Sequence, residues 1–247
     1  MLAIIGGSGL DRLAFLEITR SAAVSTPYGA PSGPLQHGHL QGREVIFLAR
    51  HGENHHLPPH RINYRANLWA LREHGATHIV AVVTTGGMGA DFAPGAIAVP
   101  DQIIDYTWGR ASTFFEGEDN VVRHIDFTQP YDSALRARLL RAAQRAGEDV
   151  HDGGVYAVTQ GPRLETAAEI RRLMRDGANF VGMTGMPETA LARELNLPYA
   201  ALALVVNAAA GTGASGQTID LSAAESLARS AMMRVVHILE TVVRDGD

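Results

Sequence analysis

A chain of 247 residues, 46% hydrophobic and 19% charged, excludes disorder and can bury a sizeable core without disulfide or metal staples. Its net charge of −5 gives no long-range pull toward nucleic acid or an anionic membrane, so neither is expected as a partner. The chain has no cysteine and all 21 of its basic residues are arginine, which excludes thiol catalysis, Cys-ligated metal, lysine Schiff bases and a Walker-type nucleotide loop.

The first five residues are apolar but stop at Gly6-Gly7, far short of the ~20 apolar residues of a membrane span. No leader pattern is evident either, so a cytoplasmic protein is expected. Short β-branched runs then alternate with longer amphipathic segments, the pattern of an α/β fold. Strands are predicted at 2–5, 45–49, 78–83, 97–100, 155–159, 180–183 and 199–206, and helices at 63–74, 133–146, 166–175, 188–196 and 221–244. Ser133 is expected to cap the second helix, and Gly147 and Gly177 to stop the second and third. In the last helix Leu227, Ala231, Val235, Ile238 and Val242 recur every three or four residues, a stripe to be buried. Residues 107–128 lack periodicity and read as an excursion from the sheet, and 208–217 as a Gly/Ala/Ser loop. No repeat or linker divides the chain, so residues 1–247 are expected to form one domain.

Six clusters at strand ends carry the chemistry. Gly6-Gly7-Ser8-Gly9 offers bare backbone amides and a hydroxyl to an anion, or is simply a tight turn. It is no dinucleotide fingerprint, because Arg12 stands where the third glycine belongs, and Leu10 breaks the hydrolase elbow. Arg50-His51 follows the second predicted strand and suits an anion clamp. In the run beyond it, His51/His55 and His56/His60 have helical metal spacing, but Pro58-Pro59 forbids a continuous helix under the second pair. No metal is therefore expected, and His55, His56 and His60 read as a polar surface loop. Thr84-Thr85-Gly86-Gly87 suits a phosphate oxygen or forms a strand-to-loop turn. Glu165, just ahead of a helix, serves either a ligand or the helix as a cap. Met183-Thr184 and Asn207 each end a strand, with the methionine equally at home in a core. Together the clusters fit phosphate plus a polar heterocycle, and they lack a nucleophile–base pair.

These motifs, in this order, resemble those of the trimeric purine nucleoside phosphorylase and methylthioadenosine phosphorylase family. The likeness runs from Gly6-Gly7-Ser8-Gly9 through Arg50-His51-Gly52 and Asn63-Tyr64-Arg65-Ala66-Asn67-Leu68-Trp69-Ala70-Leu71 to Gly161-Pro162-Arg163 and Val181-Gly182-Met183-Thr184 with Pro187-Glu188. The resemblance implies a three-layer α/β/α sandwich around a mixed, partly barrel-like sheet, and phosphorolysis of a purine nucleoside. It assigns phosphate to Ser8, Arg50, His51, Thr84, Thr85 and Thr184. Met183 would lie under the ribose, and Leu164 stands where the family has an aromatic against the base. Glu165 and Asn207 would meet the purine edge, with Ala208 and Ala209 beside them. Asn207, Glu165 and His51 are the expected catalytic set. His124 would reach a neighbouring subunit's ribose pocket in a homotrimer. Inorganic phosphate is a co-substrate, and no cofactor is implied.

The two ends of the nucleoside select a branch. An ionised Glu165 can only accept, which matches the N1–H of a 6-oxopurine and opposes the N1 lone pair of adenine. The adenine-using branch carries serine and aspartate at the positions of Glu165 and Asn207. At the sugar end, Ile219, Asp220 and Leu221 stand in the neighbourhood where inosine phosphorylases carry a histidine, and apolar Ile219 and Leu221 suit a 5′-methylthio group. The expected substrate is methylthioinosine, ahead of methylthioadenosine and then inosine or guanosine. From another class, a non-catalytic nucleoside- or phosphate-binding protein would use the same clusters.

Overall fold

A computed structural model describes residues 1–10, 16–117, 122–213 and 218–246. Arg12, residues 118–121 of the expected excursion and residues 214–217 of the expected loop lie outside the described residues. In chain order the elements are β1 (Leu2–Gly6), β2 (Glu17–Ala22), β3 (Leu35–Leu40), β4 (Arg43–Ala49), α1 (Tyr64–Glu73), β5 (His78–Gly87), β6 (Ile97–Val99), β7 (Gln102–Asp105), α2 (Ser133–Ala146), β8 (His151–Asp152), β9 (Val155–Val158), α3 (Ala167–Arg175), β10 (Phe180–Gly182), α4 (Gly185–Glu194), β11 (Tyr199–Ala208) and α5 (Leu221–Asp245). Every predicted strand and helix is present. β2, β3, β7 and β8 were not foreseen: β2 is almost wholly exposed, and Gly38 interrupts the apolar pattern of β3. Pairing with neighbours, rather than an apolar period, makes these segments strands.

Alternation along the central strands sorts the core into layers. Leu2, Ile4, Val80, Val82, Ala200, Leu202 and Leu204 meet α2 and α5 through Leu135, Leu139, Val235 and Ile238. Their sequence neighbours Ala3, Ile5, Ile79, Ala81, Tyr199 and Ala201 face the other way, onto Leu68 and Leu71 of α1 and Leu191 of α4. A period of two in strands buried on both faces thus produces helix–sheet–helix. Four residues of the α5 stripe are buried, and Leu227 packs against them partly buried. Among the described residues, no helix is long and apolar enough to cross a membrane.

The sheet contains two groups of parallel strands. β4, β1, β5 and β11 run one way, while β7, β9 and β10 run the other, joined by the antiparallel contact of β10 with β5. β11 takes one edge of β5 from Ile79 to Gly87. The opposite edge is shared: β1 pairs at residues 78–81 and β10 at Gly86–Gly87. Residues 82–85 are left without a strand partner on that edge, and the carboxyl ends of both groups converge on the opening. Thr84–Gly87 are accordingly strand, not the turn that their glycines suggest.

Helix ends obey local chemistry with one correction. Asp132, not Ser133, caps α2, its carboxylate accepting from the Leu135 amide at 2.8 Å, while Gly147 stops the helix at φ 71°. A carboxylate at this position interacts favourably with the helix dipole as well as with the free amide. We therefore expect Asp132→Ala to cost about 1 kcal/mol in urea unfolding and Ser133→Ala less than about 0.5 kcal/mol. The reverse order would return the cap to Ser133.

Candidate active site

The gap beside residues 82–85 opens into a cavity of about 520 Å³, lined by Val83, Thr84, Thr85 and Gly86 of β5. Each parallel strand delivers its next residues there: Ser8 after β1, Arg50 and His51 after β4, Met183 and Thr184 after β10. Ligands in open α/β sheets bind where strand carboxyl ends diverge, and here two oppositely directed sets supply those ends. Gly7 is required by the approach itself. A Cβ at this position would stand 2.6 Å from the Val82 carbonyl oxygen and 3.1 Å from Arg50 Nη1.

The floor of the gap is a buried ion pair. Arg50 is completely buried and donates to both oxygens of Glu188, Nε to Oε2 at 2.7 Å and Nη2 to Oε1 at 2.8 Å. Its Nη1 donates to the otherwise unpaired Val82 carbonyl at 2.9 Å. The Tyr199 hydroxyl completes Glu188 at 2.8 Å, and burial pushes that phenol's pKa well up, so it stays a donor. Burial alone would lower the Arg50 pKa; the adjoining Glu188 carboxylate outweighs it and raises the value. Three of the five guanidinium protons are thus engaged, and Arg50 is among the residues that line the cavity.

His51 lies above this pair and is nearly buried. Its Nδ1 donates to the Leu57 carbonyl at 2.8 Å, and its ring stacks on His55 with centroids 4.3 Å apart. Burial is the main force bringing its pKa down to about 4; the Leu57 bond opposes it, and Arg50 and His55 add to it. His51 is therefore neutral at pH 7, and with Nδ1 carrying the proton its Nε2 is an acceptor.

Glu165 was open to two roles, and the helix does not need it. Thr166 caps α3 in a reciprocal capping box: its hydroxyl accepts from the Glu169 amide at 3.1 Å, and Glu169 accepts from the Thr166 amide at 2.7 Å. Glu165 instead lines the cavity, oriented by the Thr159 hydroxyl, which donates to Oε1 at 2.5 Å. Asn207 reaches the same cavity through a β-bulge. Val205 pairs with Thr85 and Asn207 with Gly86, so Val206 is the extra residue that re-aims the end of the strand. The Asn207 Nδ2 donates to the Ala208 carbonyl at 2.8 Å. Thr184 begins α4 without its hydroxyl serving as a cap, which leaves that hydroxyl for the cavity it lines. Among the described residues, no three His, Asp or Glu side chains gather to hold a metal ion.

The phosphorylase superfamily model matches residues 1–244. The chain belongs to this superfamily. It is 56% identical over 212 residues to the probable S-methyl-5′-thioinosine phosphorylase of Xanthomonas campestris pv. campestris, covering 86% of this chain and 85% of that one. To the protein of the same name from Pseudomonas syringae pv. tomato it is 54% identical over 241 residues, covering 98% and 97%. The solved methylthioadenosine phosphorylase of Schistosoma mansoni in complex with adenine superposes with a TM-score of 0.92 at 32% identity, over 99% of this chain and 91% of that one. The nucleoside phosphorylase fold expected from the motifs is therefore the fold of this chain.

Within this superfamily member, most of the expected site residues share the one cavity: Ser8, Arg50, His51, Thr84, Thr85, Leu164, Glu165, Met183, Thr184, Asn207, Ala209, Ile219 and Leu221 all line it. Ala208 does not. Downstream of the bulge it pairs with Gly87, and the next residue, Ala209, takes the wall instead. His124 is exposed and outside its own chain's cavity. His55 and His56, expected on a plain surface loop, line the cavity with Pro58 and Pro59; the chain turns there at Gly52, Asn54 and His55, all with positive φ. His60 stays exposed outside it. Sequence reasoning placed Glu188 in a motif without seeing its pairing with Arg50, a contact 138 residues apart that no local pattern marks. It also missed Glu225 on the first turns of α5, which lines the cavity beside Ala224 and Ala228.

The lowered His51 pKa has a testable sign. The unfolded histidine takes a proton below its ordinary value of about 6.5, whereas the folded one does so only near pH 4. Its contribution to stability is therefore complete above pH 6.5 and lost as pH falls through the window to about 4. Wild type should exceed His51→Asn by a smaller unfolding free energy at pH 4 than at pH 7, the difference changing by on the order of 3 kcal/mol. A difference constant across that window in urea titrations would contradict the buried neutral imidazole.

Proposed function

We propose that the enzyme catalyses the phosphorolysis of S-methyl-5′-thioinosine, giving hypoxanthine and 5-methylthioribose 1-phosphate. The observation that carries this reading is a single cavity that combines a hydroxyl-rich anion end with Glu165 and Asn207, neither of them consumed by the secondary structure around it. The names of the two bacterial relatives support the same substrate.

Phosphate would sit at the gap, held by the hydroxyls of Ser8, Thr84, Thr85 and Thr184 and by Arg50. The Nε2 of neutral His51 would accept from the hydroxyl of hydrogen phosphate, which orients the attacking oxygen. Met183 would pack under the ribose and Leu164 over the base, with Ala209 beside it. Glu165 would accept from the purine N1–H. Asn207 spends an Nδ2 proton on Ala208, so its Oδ1 is the acceptor for N7–H. In the reaction a phosphate oxygen bonds to C1′ as the C1′–N9 bond breaks. The bonding pair passes to the purine, and the proton that hydrogen phosphate gives up ends on the base. No side chain forms a covalent intermediate; the residues position the phosphate and hold the departing base.

At the sugar end Ile219, Leu221, Ala224 and Ala228 make an apolar wall. A 5′-hydroxyl buried against it would lose a hydrogen bond worth about 1–3 kcal/mol, whereas a methylthio group loses none. One observation favours a second reading. Glu225 is on this wall, and turned inward it would accept from the 5′-hydroxyl of inosine. Its side chain is 75% exposed and 3.9 Å from Arg229, so the first reading stands ahead. The rest of the proposal is a cytoplasmic homotrimer without metal or organic cofactor, in which His124 serves a neighbouring site. That part rests on the family likeness.

The purine edge is tested by exchanging it. In Glu165→Ser with Asn207→Asp, the ratio of kcat/KM for methylthioinosine over methylthioadenosine should fall by about tenfold or more, the equivalent of one mispaired buried polar group. An unchanged ratio in the folded double variant would remove Glu165 and Asn207 from base choice.

A further inference from the structure

Arg110 lies on the irregular stretch between β7 and α2, and its guanidinium bridges two loops of the candidate site. Nη1 donates to the carbonyls of Met183 at 2.9 Å and Met186 at 2.5 Å, with the Tyr64 hydroxyl at 3.3 Å. Nη2 donates to the carbonyls of Gln160 at 2.9 Å and Thr159 at 3.3 Å. Nε donates to Gln160 Oε1 at 3.2 Å, an oxygen that also accepts from the Trp108 amide. The face of the guanidinium lies 5.6 Å from the Tyr64 ring centroid.

These acceptors belong to two different ends of the cavity. Residues 159–160 begin the turn that carries Leu164 and Glu165, and the Thr159 hydroxyl itself orients Glu165. Residues 183–186 carry Met183 and Thr184. The two loops come after β9 and β10, adjacent parallel strands that end at Val158 and Gly182; just past those ends the Thr159 amide still donates to the Gly182 carbonyl at 2.8 Å, and Arg110 adds a side-chain tie from Thr159 and Gln160 to Met183 and Met186. We infer that Arg110 is a positioning residue that sets the separation between the base-recognising loop and the sugar- and phosphate-holding loop. The identity of those two ends rests on the function proposed above.

Arginine suits this place for a geometric reason. Its donors form a rigid planar fork, so carbonyls on two edges are held in one plane, whereas a lysine ammonium is a point donor on a flexible stem. In phosphorolysis the base must be held while phosphate meets C1′, so an error in the distance between the loops acts on the transition state. Each loop alone would still bind its own part of the ligand.

The test uses wild type, Arg110→Met and Arg110→Lys. In Arg110→Met, kcat should fall by about 100-fold, the cost of a misplacement near 1 Å. KM for nucleoside and for phosphate should each stay within about threefold, because uniform binding is not what is lost. Arg110→Lys should recover only a small part of the rate. Hydrogen exchange in Arg110→Met should speed up at 159–161 and 183–186 together. A brace that merely stabilised the fold would lower Tm and leave kcat of the folded protein alone. Wild-type kcat in folded Arg110→Met, or faster exchange in only one of the loops, would overturn the inference. If the methionine variant does not fold, Arg110→Lys carries both readouts, and wild-type values in it overturn the inference equally. Wild type that released no base with phosphate would sink the proposed function, while the exchange data would still decide whether Arg110 ties the loops.

Discussion

Everything at this site depends on a charge placed where the sheet comes apart. Once β1 and β10 divide one edge of β5, the Val82 carbonyl is a buried acceptor without a strand partner, and Arg50 supplies the missing donor. A buried guanidinium needs a counter-charge, which Glu188 provides from α4 on the far side of the sequence, and Tyr199 satisfies Glu188 in turn. Removing one partner of such a pair typically costs about 3–5 kcal/mol, because the other charge is then left uncompensated. The network therefore joins β4, β5, β11 and α4 at the point where the ligand would sit. It also has a chemical consequence. With Arg50 neutralised by Glu188 and His51 held uncharged, these three residues together contribute no net charge, so hydroxyls and oriented protons would do most of the work of holding phosphate.

The other end of the cavity shows the same economy of partners. Glu165 is available for recognition because Thr166 and Glu169 satisfy the start of α3 between them. Asn207 is aimed inward because one extra residue in β11 breaks the strand alternation just before it. Thr159 orients Glu165, and the two loops involved are spanned by one guanidinium. Under the proposed function, an acceptor-only carboxylate held in one orientation would distinguish a donor from a lone pair at purine N1, which is a difference in sign rather than in size.

Much of this was legible in the sequence, and the reasons are specific. The central strands are buried on both faces, so they read as continuous apolar runs, and the motif residues sit immediately after them. The features that stayed hidden depend on contacts distant in the chain. Exposed β2 and the broken pattern of β3 become strands only by pairing. Thr84–Gly87 look like a turn until β11 is laid beside them. Asp132 took the cap from Ser133 by a single residue. Ala208 left the wall because of a bulge that composition does not reveal, and His55 and His56 joined it through a turn at Gly52, Asn54 and His55. Neither the Glu188 partner of Arg50 nor the reach of Arg110 has any local signature.

The most direct measurement is the initial rate of free-base release, with and without phosphate, from methylthioinosine, methylthioadenosine, inosine and adenosine side by side. The account predicts release that requires phosphate and a kcat/KM highest on methylthioinosine, exceeding methylthioadenosine by about tenfold or more. A highest value on methylthioadenosine or adenosine would contradict the Glu165 and Asn207 edge. A highest value on inosine would contradict the apolar sugar end, and release without phosphate would contradict the reaction itself.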